Sequence, residues 1–153
     1  MLNVVLFQPE IPHNTGAIGR LCLATQARLH LIKPLGFSLE DKHLKRAGLD
    51  YWREVDVRVW ENWEELRAEM PAGAACHFIE CQGAHIYWEA CLTDVEIYLV
   101  FGPETRGIPA SVMQPEHCLR IPMQGTRSLN LATAAGIVMY EALRQRTLAG
   151  IMP

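Results

Sequence analysis

Several signatures that would assign this chain to a familiar enzyme class are missing. No GxGxxG follows the first apolar run, and GxxxxGK[ST], GxSxG and HExxH are all absent. A nicotinamide-dependent Rossmann enzyme and a P-loop NTPase are therefore not expected. Positive charge is scarce: 14 Lys and Arg stand against 17 Asp and Glu, for a net charge of −3. Bulk charge thus gives no general attraction to nucleic acid, although a local basic patch remains open. The five cysteines are odd in number, scattered and without a CxxC pair, and several sit in apolar runs as small hydrophobes. Cys76, His77, Cys81, His85 and Cys91 invite a zinc reading, but their spacing matches no ligand pair, so no metal is expected. Long apolar runs are lacking too. The longest uncharged stretch, residues 128–140, is too short to span a bilayer. Gln8-Pro9-Glu10 ends the first apolar run without a basic segment before it, so no signal peptide is expected. These absences point to a soluble, reduced, cytoplasmic protein with no membrane partner.

What is present suits one folded domain, residues 1–153. Half of the 153 residues are hydrophobic and a fifth are charged. Strands are expected at residues 2–7, 28–33, 55–60, 75–80, 95–101 and 117–123. Helices are expected from Asn14-Thr15 to Thr25, from Ser38 with Asp41 to Gly48, from Asn62 with Glu65 to Met70, and from Ser128 to about Arg146. Strands alternating with helices mean an α/β fold with a parallel sheet covered on both faces. The last helix is apolar nearly all round, which predicts burial on more than one side, by the sheet and by a second subunit. A central position within the monomer core is the alternative. Arg144-Gln145-Arg146 reads as a solvated tail.

The glycines fall late, at Gly83, Gly102, Gly107 and Gly125, each just after an expected strand or in the loop beyond it. Residues 101–109, FGPETRGIP, hold two glycines and two prolines around a glutamate and an arginine. A stiff loop of this kind at the carboxyl end of a strand is where open α/β sheets bind ligands. With residues 80–83 and 121–128 it would form a composite pocket whose main polar groups are backbone amides.

Taken in order, PEIPHNTGAIGRLC, KRAGLDYW, FGPETRGIP and RIPM…SLNLATAAGIVMYEA resemble the SPOUT class of RNA methyltransferases. Within it the likeness is to the small tRNA 2′-O-methyltransferases that act on the wobble pyrimidine, and it covers essentially the whole chain. The resemblance implies a C-terminal trefoil knot, a homodimer, a tRNA partner and S-adenosylmethionine as cofactor. It carries the cofactor contacts to Ile79, to Gly102, and to Ile121 and Ser128. Activity on another tRNA site or on ribosomal RNA, or an inactive RNA-binding relative, are the alternatives.

The chemistry implied is attack of a ribose hydroxyl on an activated methyl group, so the protein must position, desolvate and accept a proton. The resemblance places Arg20 at the proton step. A guanidinium holds its proton too tightly to be a good base, and orienting the target while stabilising a developing alkoxide is the easier role. Asn14 reads either as a helix cap or as a functional contact. Asn130 is expected to touch the ligand, with Ser128 capping the last helix. Glu104 and Arg106 either contact ligand or RNA or pair with one another. Lys42, His43, Lys45, Arg46 and Arg53, beside Tyr51 and Trp52, form a candidate RNA-binding patch with stacking partners; a solvated helix face is the alternative. Three departures from the family pattern stand out. His13 occupies a position often held by proline, Glu80-Cys81-Gln82-Gly83 replaces a Thr-Thr-Lys-Gly-like turn, and Thr133 and Gly136 stand where Asn and Ser are frequent.

Overall fold

The computed structural model describes residues 1–40, 42, 44, 46 and 49–151. Its strands are β1 (Leu2–Phe7), β2 (Arg28–Ile32), β3 (Val57–Trp60), β4 (Ala75–Ile79), β5 (His85–Ile86), β6 (Ile97–Phe101) and β7 (Cys118–Arg120). The helices are α1 (Pro12–Thr25), α2 (Trp63–Glu69) and α3 (Leu131–Leu148). Lys42, Leu44 and Arg46 are helical as well, whereas Asp41, the partner of Ser38 in the expected capping box, and Gly48, the expected end of that helix, lie outside the described residues. The strands form one sheet in the order β3-β2-β1-β6-β4-β7-β5, and each pairing is parallel.

Interior strands of a parallel sheet are covered on both faces, so they read as continuous apolar runs. β1 and β6 are buried at every position. Successive side chains then serve opposite layers. Leu2, Val4, Leu6, Leu29, Leu31, Leu99 and Phe101 pack with Ile18 and Cys22 of α1 and with Ala135, Val138, Met139 and Ala142 of α3. Val5, Phe7, Ile32, Phe78 and Val100 pack with Trp63 and Leu66 of α2. Each large side chain removed from water in this way contributes about 1.5–3 kcal/mol. Asn3 is the polar exception in β1. It is fully buried and satisfied, donating to Glu96 Oε2 at 3.1 Å and to the Ile97 carbonyl at 3.2 Å. Trp60 Nε1 donates to His30 Nδ1 at 3.0 Å, which leaves the imidazole proton on Nε2, facing Asn3 Oδ1 at 3.1 Å. Burial, helped by Arg28 and Arg58, pushes the His30 pKa down to about 4.

Several boundaries differ from the expectation. α1 starts at Pro12 after an extended Ile11, because proline fits the first helical position, where no amide partner is available. Asn14 therefore lies inside the helix and does not cap it. α3 starts at Leu131, and its cap is Asn130, whose Oδ1 accepts from Ala132 N at 2.9 Å and from Thr133 N at 3.2 Å. Ser128 is not the cap. The fifth expected strand begins at Ile97, since Val95 is 77% exposed, and the sixth is confined to Cys118–Arg120. β5 was not expected, because two residues carry no readable period. Arg146 is not solvated: it is 2% exposed and donates to the Asp94 carbonyl, while Gln145 accepts from Leu92 N and donates to the Ala90 carbonyl.

Candidate functional site

Because the strands are parallel, the loops after β1, β4, β6 and β7 leave from one edge of the sheet. The chain turns to opposite sides of the sheet between the adjacent strands β1 and β6, which opens a crevice there. A cleft of about 410 Å³ lies at this edge, lined by residues from the loops after β4, β6 and β7, by Ile11 and by Asn14 of α1. Ile79, Gly102, Ile121, Ser128 and Asn130 all line it. Four separate stretches of sequence are thus brought together at one place.

The loop after β6 doubles back on itself. A Cβ on Gly102 would stand 2.8 Å from Ile108 N, so only glycine lets the two segments lie this close. Glu104 fastens the loop to the start of α1, accepting from Glu10 N at 2.9 Å, Ile11 N at 3.1 Å and Asn14 Nδ2 at 3.2 Å. Asn14 Oδ1 in turn accepts from Asn130 Nδ2 at 2.9 Å. One chain of hydrogen bonds therefore joins the β6 loop, α1 and the cap of α3. Glu104 and Arg106 do not pair with one another. Arg106 lies 3.5 Å from Glu10 Oε1 and donates to Gln8 Oε1 at 3.3 Å, and Thr105 donates to both Glu10 oxygens. Glu80 binds the loop from the other side, accepting from Ile108 N at 2.6 Å. The turn that carries Glu80 is pressed against β7: Glu80 N donates to the Leu119 carbonyl at 2.9 Å, and a Cβ on Gly83 would stand 2.4 Å from the Leu119 carbonyl carbon. Arg120 donates to the Gly83 and Ala84 carbonyls at 2.9 and 3.0 Å.

Arg20 is exposed and does not line the cleft. It is six residues beyond Asn14 on α1, about 9 Å along the axis. Its guanidinium carbon sits 5.3 Å from the centre of the Tyr51 ring, a cation–π arrangement. Lys42, Arg46 and Arg53 are exposed, while Lys45 and His43 lie outside the described residues. Trp52 is half-buried, and its ring lies 2.6 Å from where a Cβ of Gly19 would be, so it packs on α1 and is not an open stacking surface. Tyr51 is the exposed aromatic of the pair.

A second cleft of about 570 Å³ lies along the first half of β4, where β7 does not reach. His77, His85, His117, Glu89, Cys91 and Asp94 line it. Burial, and then the neighbouring His117, hold the His77 pKa below the usual histidine range. Among the described residues no group of three or more His, Cys, Asp or Glu side chains is placed to hold a metal ion. The hydrogen bonds of Glu104, Asn14 and Glu80 were not anticipated, because they join positions 28 to 116 residues apart.

A family model described as the SpoU rRNA Methylase family matches residues 1–140. The chain is 49% identical over 154 residues to the tRNA (cytidine(34)-2′-O)-methyltransferase of Methylovorus glucosotrophus, covering 98% of this chain and 99% of that one. A structure solved to study 2-OH methylation of C/U34 on tRNA superposes with a TM-score of 0.92 at 46% identity, over 98% of this chain and 97% of the other. The SpoU methyltransferase AviRb from Streptomyces viridochromogenes, solved in complex with the cofactor AdoMet, gives a TM-score of 0.86 at 26% identity, over 96% of this chain and 58% of that one.

Proposed function

The chain belongs to the SpoU rRNA Methylase family, and from that premise we propose that it methylates the ribose 2′-hydroxyl of the wobble pyrimidine, position 34, of a tRNA, using S-adenosylmethionine. The observation that carries this reading is the convergence of three strand-end loops and the start of α1 on one cleft. The lining fits the cofactor: Ile79, Ile121 and Leu129 offer apolar walls for a flat base, and Glu80 offers an acceptor. Ile79, Gly102, Ile121, Ser128 and Asn130 would hold it, Asn130 through backbone or through contacts beyond its cap and its bond to Asn14. Bound there, S-adenosylmethionine supplies a methyl group already activated by its positive sulfur.

The chain's own residues then have to place a nucleotide and exclude water. Arg20, steadied over Tyr51, is the residue to orient the target phosphate and ribose and to stabilise negative charge developing on the hydroxyl oxygen. The bonds of Glu104 to Asn14 and to the amides before α1 fix the helix that carries Arg20 relative to the cofactor loop. Lys42, Lys45, Arg46 and Arg53 would contact the RNA backbone, where salt-dependent phosphate contacts dominate affinity.

The knotted path of the C-terminal part, which the family resemblance implies, belongs to this reading. So does a homodimer in which both subunits contribute basic residues. Support comes from α3, where Leu131, Ala132, Gly136 and Ile137 stay half-buried and Tyr140 is 50% exposed. A cytoplasmic location follows from the tRNA substrate; no described helix is long and apolar enough to cross a membrane.

The test is transfer of a labelled methyl group to tRNA lacking the modification, followed by mapping of the labelled nucleotide. Label at the ribose of position 34 is expected. Label at another tRNA position or in ribosomal RNA only, or none, overturns the assignment.

A further inference from the structure

Three charged side chains line the cleft, Glu80, Glu104 and Arg106, and they are not equivalent. Glu104 is engaged by three protein donors. Arg106 is exposed and pairs with Glu10. Glu80 gives Oε1 to Ile108 N, and no hydrogen bond from a described residue reaches its Oε2. The side chain is nevertheless fixed, because both oxygens lie against Gly107, 3.1 Å from where a Cβ would be. The cleft wall thus carries a held carboxylate, one oxygen of which accepts no hydrogen bond from a described residue. Counting Glu80 and Glu104 against Arg106, the lining has one negative charge in excess. In a recess with reduced solvent such an imbalance favours a cation over a neutral molecule of the same shape.

We propose that Glu80 is a specificity-determining residue whose carboxylate makes the cleft select the cationic sulfonium cofactor over the neutral thioether that remains once the methyl group has left. This rests on the function proposed above. The sulfonium form carries one positive charge more than the thioether and otherwise nearly the same shape, so the selection acts on charge. Its consequence is asymmetry between substrate and product: the cofactor is held more tightly before transfer than its remnant is afterwards.

Titration calorimetry on the full chain tests this with three probes: S-adenosylmethionine, S-adenosylhomocysteine, and sinefungin, which bears a protonatable amine in place of the sulfonium methyl group. Glu80→Gln keeps an oxygen that accepts from Ile108 N but removes the charge. It is expected to weaken S-adenosylmethionine and sinefungin about tenfold while shifting S-adenosylhomocysteine by less than about twofold. Glu80→Asp keeps the charge and is expected to keep the preference, which gives a reading even if the Gln variant does not fold. Equal weakening of all three probes by Glu80→Gln, or loss of preference in Glu80→Asp, overturns the proposal and leaves the methyltransferase assignment standing. Failure of the unaltered protein to bind any of the three overturns both.

Discussion

Two clefts of this protein lie along the same strand and differ in nearly everything else. The one along the first half of β4 is the larger, about 570 Å³, and the richer in ionisable groups, with three histidines. The one beyond the end of β4 is about 410 Å³ and is built largely from loop backbone and apolar side chains. Yet the smaller cleft is the one whose segments are locked together by the hydrogen bonds of Glu80, Glu104 and Asn14. The first arises because β7 pairs with β4 only at Phe78 and Ile79, leaving Ala75 to His77 uncovered on that side. A groove left where a short neighbour stops needs no ligand to explain it. A set of loops held together by buried or half-buried carboxylates does, because ordering them costs conformational entropy that a mere surface would not require.

The contrast can be broken in four ways, in descending order of expected effect. Gly83→Val drives a side chain into the Leu119 backbone, which cannot give way. A loss of about 3 kcal/mol or more of stability is expected, visible in chemical denaturation; wild-type stability would show that the turn and β7 are not tightly joined. Arg20→Ala is expected to lower the rate of methyl transfer about 10²- to 10³-fold, with cofactor affinity unchanged in calorimetry. Normal turnover would remove Arg20 from the reaction. Glu104→Ala leaves Glu10 N, Ile11 N and Asn14 Nδ2 without their acceptor. It should cost about 2 kcal/mol of stability and weaken cofactor binding several-fold; an effect on stability alone would separate the network from the cleft.

His77→Asn in the second cleft is expected to change methylation hardly at all and stability at pH 7.5 by less than about 1 kcal/mol. Its signature lies in pH. A histidine whose folded-state pKa is depressed takes up its proton more readily when unfolded. His77 therefore costs nothing above the ordinary histidine range and destabilises the fold progressively as pH falls below it. Thermal melts should show the variant losing less stability than the parent between pH 7.5 and 5. His30, held at about 4, destabilises both proteins in the same window and cancels in the difference. A large drop in methyl transfer by this variant would make the second cleft part of the machinery and break the contrast.

Much of this could be read from the residues in order. Uninterrupted apolar runs at β1 and β6, alternation with helices and the late glycines determined an α/β parallel sheet with ligand loops at one edge. Those features are local, arising from backbone propensity and from the two-fold and 3.6-fold periods of buried side chains. That Ile79, Gly102, Ile121 and Ser128 line one cleft is legible from four ordered motifs at family spacing, and Asn130 joins them there. What hydrogen-bonds to what is not legible. The sequence reading gives the cap of the last helix to Ser128 where Asn130 supplies it, and a Glu104–Arg106 pair is one of the alternatives it leaves open. Both weigh partners near in sequence. In the folded chain, Glu104 finds its donors 90 to 94 residues away and Arg146 finds Asp94 52 residues back. A carboxylate or guanidinium is satisfied by whatever donor or acceptor the sheet order delivers to it, and that order is a property of the whole chain's packing. The sequence by itself determined which layers form and where their loops must emerge. Only the tertiary structure decided which loop each charge would hold in place, Glu80 the loop after β6 from one side and Glu104 from the other.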